Sequence, residues 1–395
     1  MTTRGRLRVV HVITTLTTGG AERQVELLAA ASRHDVAVVS LYTGGVVEDA
    51  LRARGIPVHV LGMDGWRKAA AVLRLARLLR RLQPDVVHVH LLSAQLWGIP
   101  AARLAGVPVV VSTEHSIMDT TIEGRPKSEW LRRLYLALER RTTETIAVSA
   151  ETARRLRAWG VGTDRRLTVI NPPIDFTPPE TRAADRSAVR RELGIPDDAV
   201  VIGAVGRLDV VKRHATLVRA VADQLRRGRH LVIVGDGSLR ADLERLAAEL
   251  GVARAVHLTG PRGDVPALFA AVDVLVSASR DETFGMAVVE ALGAGLPVVF
   301  EQCPALDGLP LPRDRARRID RDLDAADERE ALAEAVDQLV AGGAELRPAP
   351  DVLVDRYGTA RTAAAVDGVY ERLVTRCAPS ASSTGAIRST TQSQV

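Results

Sequence analysis

Residues 7–22, LRVVHVITTLTTGGAE, read as a strand (7–13) that turns through a threonine-rich loop and the pair Gly19-Gly20 into a helix (21–32). A short, mostly apolar run, interrupted only by Arg8 and His11 and bounded by turn residues, suits a strand covered on both faces. The pattern continues outward from there. Strands are predicted at 35–41, 58–61, 86–90, 107–112 and 145–149, with helices such as 67–82 and 127–141 between them. The rhythm restarts at 200–205, VVIGAV, and runs on through 231–234, 255–258, 272–276 and 297–300. Strands separated by helix-length segments predict parallel sheets covered by helices, the α/β class.

A chain of 395 residues exceeds one ordinary core, so two domains are expected. The seam falls in 171–184, NPPIDFTPPETRAA, where Pro172, Pro173, Pro178 and Pro179 exclude both helix and central strand. The expected division is 1–177 and 178–358, two Rossmann-like domains, then a last helix over 359–377. No motif recurs between the halves, so they read as related folds and not as a duplication. Residues 378–395, APSASSTGAIRSTTQSQV, hold too little apolar surface to order themselves and are expected to be a disordered tail.

No apolar run approaches the roughly 18 residues that cross a bilayer, and the start lacks a signal-peptide hydrophobic region. Cys303 and Cys377 are far apart and have no metal-ligand spacing, so neither disulfides nor a metal site is expected. A reduced, cytoplasmic protein is the expectation. The net charge of +5 is uneven: residues 1–185 carry 26 Lys/Arg against 18 Asp/Glu, the remainder 27 against 30.

Three constellations carry chemistry. Gly19 and Gly20 let a ligand approach the backbone, and the helix behind them offers free N–H donors to an anion. The plain alternative is a tight strand–helix turn. Neither G-x-G-x-x-G nor G-x-x-x-x-G-K-[ST] occurs, which disfavours a nicotinamide dehydrogenase. In the second, strand 200–205 ends in Gly206-Arg207-Leu208-Asp209, with Lys212 and Arg213 following. Ligands bind at the carboxyl ends of strands in open α/β sheets, and two cations there suit a phosphate leaving group. The alternative is a solvated basic turn. The third is 277–291, with Glu282, then Thr283-Phe284-Gly285-Met286 at a helix start, then Glu290. Carboxylates accept hydrogen bonds from sugar hydroxyls, so the two could hold a sugar and a ribose. An acidic side chain in so apolar a helix as Glu290's calls for a buried polar role.

Glu282-x7-Glu290 within ETFGMAVVEALGAGLPVV resembles the E-x7-E motif of retaining glycosyltransferases with the GT-B fold. Val205-Gly206-Arg207 with Lys212 is similar to that group's donor-phosphate signature, and Thr18-Gly19-Gly20-Ala21-Glu22 to its glycine loop. PDVVHVH (84–90), VSTEH (111–115) and Val234-Gly235-Asp236-Gly237 match its usual phrasing. The resemblance is to family 4 glycosyltransferases, spans about residues 6–300 and keeps its motifs in order. Two stretches depart from it. The junction reads Asn171-Pro172-Pro173-Ile174-Asp175, and FEQCPAL (300–306) replaces the usual Gly-Gly-x-x-Glu.

The resemblance implies two domains with parallel sheets facing across a cleft, the last helix crossing back to the first. It implies an acceptor-binding N-terminal domain, a donor-binding C-terminal one, and transfer with retention and no required cofactor or metal. The nucleotide-sugar is a co-substrate, UDP- or GDP-linked. Gly19, Gly20, Gly206, Arg207 and Lys212 would meet the diphosphate. Glu282 would bind the sugar beside Thr283, Phe284, Gly285 and Met286, and Glu290 the ribose. His115 would lie near the transferred sugar, with His88 and His90 as hydrogen-bonded neighbours. The acceptor is a hydroxyl on a glycan, a lipid-linked sugar or a small molecule. Rivals are a nucleotide-sugar epimerase on the same fold and a non-catalytic binding subunit. A pyridoxal-phosphate phosphorylase is excluded because no lysine follows Lys212. On helix 67–82, Arg67, Arg74, Arg77 and Arg81 gather opposite Val72, Leu75, Ala76, Leu79 and Leu82, with Trp66 at its start. That stripe reads either as a solvated face or as contact with anionic lipid or a phosphorylated acceptor, which would place the chain at the inner membrane face. Nothing points to nucleic acid.

Overall fold

A computed structural model describes residues 5–63, 70–162, 166–176, 183–343 and 347–377. The first strands are Val- and Ile-rich and become the buried centre of a parallel sheet. Seven strands form it: β1 (Arg8–Ile13), β2 (Asp35–Ser40), β3 (Val58–Val60), β4 (Val86–His90) and β5 (Val109–Glu114), then, beyond a small hairpin of β6 (Thr121–Ile122) and β7 (Arg125–Pro126), β8 (Glu144–Ala147) and β9 (Leu167–Val169). The order is β3-β2-β1-β4-β5-β8-β9, every pairing parallel. Helices α1 (Gly20–Ala31), α2 (Val46–Ala53), α3 (Ala71–Leu82), α4 (Leu92–Leu104), α5 (Glu129–Glu139) and α6 (Ala150–Ala158) connect them.

After α7 (Ala183–Glu192) comes a second parallel sheet of six strands. These are β10 (Val201–Val205), β11 (His230–Val234), β12 (Val256–Gly260), β13 (Val274–Ser277), β14 (Val298–Phe300) and β15 (Ala316–Arg318), in the order β12-β11-β10-β13-β14-β15. Its helices are α8 (His214–Arg226), α9 (Arg240–Glu249), α10 (Val265–Ala271), α11 (Met286–Gly293), α12 (Ala325–Ala341), α13 (Asp351–Tyr357) and α14 (Thr359–Cys377). In each sheet the chain reverses its direction of winding beside the first strand, at β1/β4 and at β10/β13. Those switch points are where open α/β sheets leave a crevice at their strand ends.

The amphipathic α14 ends the described chain but does not cover the second sheet. Ala363, Val366, Val369, Tyr370 and Leu373 bury against Val9, Val86, Val109 and Val111 of the first. Asp367 ties it to the end of α1 by accepting from the Ser32 hydroxyl (2.8 Å) and the Arg33 N–H (3.0 Å). The crossing back expected for 359–377 is therefore present. The outgoing linker runs beside the return: the Ile174 N–H donates to the Tyr357 carbonyl (2.8 Å), and the Thr359 hydroxyl to that of Ile174 (2.9 Å).

Sequence periodicity placed most elements and erred at ends. Helix α5 starts at Glu129, two residues beyond the expected Lys127, because the Ser128 hydroxyl caps it by accepting from the Leu131 N–H. The described part of the helix expected at 67–82 is α3 from Ala71; Trp66 and Arg67 lie outside the described residues, as do 177–182 and the tail 378–395. Two three-residue strands, β9 and β15, were not expected. Among the described residues no helix is long and apolar enough to cross a membrane.

Candidate active site

At the first switch point β1 runs into the glycine loop. Gly20 begins α1, and no side chain caps the helix, so its first N–H groups point free. A Cβ on Gly19 would fall 2.3 Å from Glu22 Oε2, and one on Gly20 would meet Met286 Cγ at 3.8 Å. Glu22 is itself held by the Thr15 hydroxyl (2.9 Å). The contact with Met286 brings the start of α1 against the start of α11, in the other half of the chain.

At the second switch point Gly206 takes φ +154°, and the Lys212 stem lies across it. Asp209 Oδ1 accepts from the Val211 and Lys212 N–H groups (3.1 and 3.2 Å), folding the loop back. Lys212 Nζ thereby reaches Glu282 Oε1 at 2.6 Å. Arg207 remains mostly exposed and leans on Asp209 Oδ2 (2.9 Å). Gly285 has φ +93°, and a Cβ there would sit 2.4 Å from Cys303 Sγ, so glycine is required twice over. Helix α11 also starts without a side-chain cap. Two uncapped helix N-termini and the Lys212–Glu282 pair thus converge, an arrangement suited to a bound anion carrying hydroxyl-bearing groups.

The stretch 281–283 joins the halves. Asp281 pairs with Arg155 (2.7 Å) and accepts from the Asp119 N–H (3.2 Å). The Thr283 hydroxyl donates to the His115 carbonyl (2.8 Å), and the Ser149 hydroxyl to the Thr283 carbonyl. Glu282 is buried, and its N–H donates to Gln302 Oε1 (3.2 Å). Phe284 is also buried, edge-on to Tyr357. Glu290 is half-buried further along α11. Burial raises its carboxyl, nearby Arg23 of α1 opposes this, and Asp175 reinforces it. Met286 accepts a hydrogen bond from Gln24 at its sulfur (3.7 Å).

His115 is buried, and burial lowers its pKa to about 3, so the ring is neutral. Its Nε2 lies 3.1 Å from His90 Nδ1, while its Nδ1 is buried without a partner. The structure therefore brings Gly20, Met286, Lys212, Glu282, Thr283 and His115 to one cleft. Glu290 sits beside Arg23 and Asp175, and Arg207 stands exposed at the rim. Among the described residues, His11, His88 and His90 form the one group whose donor atoms are close enough for a metal, within 4.8 Å of one another.

Sequence reasoning missed two features. One is the clamp of Arg155, Ser149 and Asp281. The other lies behind Lys212: Arg213 and Arg280 share the buried carboxylates Glu301 and Glu328, with Arg213 to Glu301 at 2.8 Å and Arg280 to Glu301 at 2.6 Å. Burial raises the Glu301 carboxyl. The stretch departing from the family pattern thus anchors the loop, through Glu301 and Gln302. The one available signal was an unexplained acid directly after an apolar strand.

Comparison with known proteins bears on this geometry. Residues 18–177 match the model for Glycosyltransferase Family 4, and residues 185–347 that for Glycosyl transferases group 1. A 2-deoxystreptamine glucosyltransferase of Streptomyces kanamyceticus is 31% identical over 82% of this chain and 86% of its own length. A D-inositol 3-phosphate glycosyltransferase of Corynebacterium efficiens is 32% identical over 68% of each chain, and two others of that name align over 52% and 57% of their length. An Escherichia coli galactosyltransferase, acting from UDP-Gal on a GlcNAc-diphosphoundecaprenol, is 26% identical over 75% of this chain and 80% of its own. Among solved structures, the Anabaena protein HepE in complex with UDP and glucose superposes with a TM-score of 0.78 at 22% identity, covering 93% of this chain and all of that one. The glycosyltransferase WaaG gives 0.64 at 20% identity, over 94% and 99%.

Proposed function

This chain belongs to glycosyltransferase family 4, a nucleotide-sugar-dependent glycosyltransferase on the GT-B fold, and from that premise we propose how its cleft divides the work. The observation that carries the reading is the convergence of the α1 and α11 N-termini over the Lys212–Glu282 pair. The diphosphate of a UDP- or GDP-linked hexose lies between those termini. Arg207 swings from Asp209 to meet charge that grows on the leaving oxygen. The preorganised helix-terminal N–H donors are the kind worth roughly 10²–10³ in rate per group.

Glu282, held by Lys212, accepts from donor-sugar hydroxyls, and Glu290, beside Arg23, from the ribose. The acceptor hydroxyl approaches from the N-terminal half, past His115. Burial disfavours the charged form of His115, making it a weak base, which fits passing the acceptor proton to the departing phosphate as in transfer with retention. No cofactor or metal is required in this scheme. A phosphorylated or lipid-linked acceptor fits the basic balance of the first half, as does peripheral contact with an anionic membrane. The domain division at 177/178, acceptor side before it and donor side after, belongs to the same reading.

A panel of nucleotide-sugars tests it. One donor should be hydrolysed slowly and, at 100 times its dissociation constant, add about 2.7 kcal/mol to stability. The sugar released should keep the donor's anomeric configuration by proton NMR. Inversion would overturn retention, and no turnover of any donor would overturn catalysis in favour of a binding subunit.

A further inference from the structure

Behind the cleft, the first sheet carries histidines at spacings a parallel sheet makes adjacent. His11 on β1 is in register with His88 on β4, and Ile13 with His90. Residues i and i+2 of a strand share a face, so His11, His88 and His90 lie together, all buried. Three of the rings in this region form a chain: His11 Nδ1 lies 2.9 Å from His90 Nε2, and His90 Nδ1 lies 3.1 Å from His115 Nε2. His88 is off that chain. Its Nδ1 is bonded to the Tyr370 hydroxyl and its Nε2 to that of Thr113, both at 2.6 Å.

A neutral imidazole has one N–H and one lone pair, so in such a chain one tautomer dictates the next. If His115 donates from Nε2, His90 must accept at Nδ1 and donate from Nε2, and His11 must accept at Nδ1. Reversing the first bond reverses the second. The ring atom left over at the outer end is His115 Nδ1, buried and unpartnered in the unliganded chain. A buried polar atom without a partner is costly, and Nδ1 has no exposed surface in the unliganded chain, so a substrate hydroxyl gains it only if binding opens the short path past His115. Its sense follows from the field. Lys212 and Arg207 are offset by Glu282 and Asp209, so the field left on the cleft side is that of the uncapped starts of α1 and α11, which is positive and orients the chain with its lone-pair end outward.

We propose that His90 and His11 are positioning residues for sugar transfer, fixing His115 in the tautomer whose Nδ1 lone pair accepts a hydrogen bond from a substrate hydroxyl. No proton needs to enter the sheet, because the chain stays neutral and only its direction matters. The same three imidazoles His11, His88 and His90 could suggest a metal centre. The hydrogen bonding disfavours it, since His88 and His90 have both nitrogens engaged and His11 its Nδ1. This inference deepens the transferase reading and rests on it for its kinetic arm alone.

Nitrogen-15 NMR of histidine-labelled wild-type protein, read without substrate, tests the tautomer directly. His115 is expected to show a protonated Nε2 and an unprotonated Nδ1 from pH 5 to 8; a protonated Nδ1 overturns the proposal. Zinc that shifts the His11, His88 and His90 signals together also overturns it, in favour of a metal site. In kinetics with the donor identified above, His90→Leu and His11→Leu should each lower kcat roughly three- to tenfold, the size of one hydrogen bond, with donor KM within about twofold. His90→Gln, which can both donate and accept, should recover most of the loss. His88→Gln should leave kcat within about twofold. If His88→Gln costs as much as His90→Leu, the cluster is only packing and the proposal fails. If wild type turns over no donor, the transferase reading fails while the NMR result still decides the tautomer.

Discussion

At the scale of single residues, Arg207 and Glu290 sit in different company and should fail differently. Arg207 is exposed and pairs with Asp209, so its loss should leave the fold intact and, on the proposed reading, remove charge stabilisation as the bond breaks. Glu290 lies near Arg23, and the ribose proposed to bind it would change little during reaction. Arg207→Ala is expected to lower kcat, and Glu290→Ala to raise donor KM, each about ten- to a hundredfold, as for hydrogen bonds to charged groups. Identical kinetic patterns in the two would refute the division. The buried histidines give a second prediction. Burial holds the His11 pKa at about 4, below the ordinary histidine value of 6.5, so the unfolded chain takes up a proton there first. The stability this group contributes is present above pH 6.5 and is lost as pH falls toward 4, at up to about 1.4 kcal/mol per pH unit. Buried Glu114, raised to about 8, acts in the opposite sense and fades as pH rises through 8. Comparing His11→Phe with wild type cancels Glu114 and should show a shallower fall in denaturant midpoint between pH 6.5 and 4. The motif residues were legible because their chemistry is local. Lys212 and Glu282 lie 70 positions apart, yet each stood in a phrase of its own. Arg155, 126 positions from Asp281, stood in none, and Asp281 had no role of its own within 277–291, since an arginine on a helix and an aspartate in a loop look like solvated charges until the fold brings them together.

Elements were unevenly legible. The strands β1, β2 and β4 were plain, as were the three-residue β3 and β14 inside longer apolar stretches, while the equally short β9 and β15 and the 17-residue helix α12 were not placed. Element ends were set by caps, as Ser128 sets α5. Helix α3 shows how much of a sequence stripe the fold keeps. Leu75, Ala76 and Leu79 are buried as spacing required, but Arg74 turns back to the Leu61 carbonyl and Arg80 to that of Leu104. Arg77 and Arg81 remain exposed, beside the half-exposed Leu73. Anionic vesicles at low salt are expected to co-sediment the protein, and Arg77→Glu with Arg81→Glu to release it. Absence of sedimentation would leave α3 a solvated cover. The 281–283 segment makes a sharper claim. Asp281→Ala leaves Arg155 paired with Glu151 and Asp119, so the fold should survive while the two halves lose a tie. Donor KM should rise several-fold if, as proposed, both halves supply donor contacts, with thermal midpoint nearly unchanged; an unchanged KM would count against the clamp.

For the whole molecule, connectivity matters more than either sheet alone. The linker at Ile174 and the return at Tyr357–Thr359 run side by side, so relative motion of the halves is confined near one paired crossing. Beyond it, α14 completes the first half with residues from the far end of the sequence. This was legible only through family resemblance. Nothing in the amphipathic pattern of 359–377 says which sheet it covers, since either offers an apolar face. The consequence is thermodynamic. Removing α14 would expose Val9, Val86, Val109 and Val111 and forgo the burial of Val366, Val369, Tyr370 and Leu373. At about 1.5–3 kcal/mol for each large apolar side chain, the loss rivals the 5–15 kcal/mol by which domains are stable. It would also leave the Ser32 and Arg33 donors without Asp367, and His88 without the Tyr370 hydroxyl. A chain ending at Gly358 should therefore aggregate or melt with its first half unfolded, although every residue of that half is present. One ending at Cys377 should keep the full-length melting midpoint and activity. Scanning calorimetry on the two truncations decides it: a folded first half in the shorter chain would show that α14 is only an accessory cover.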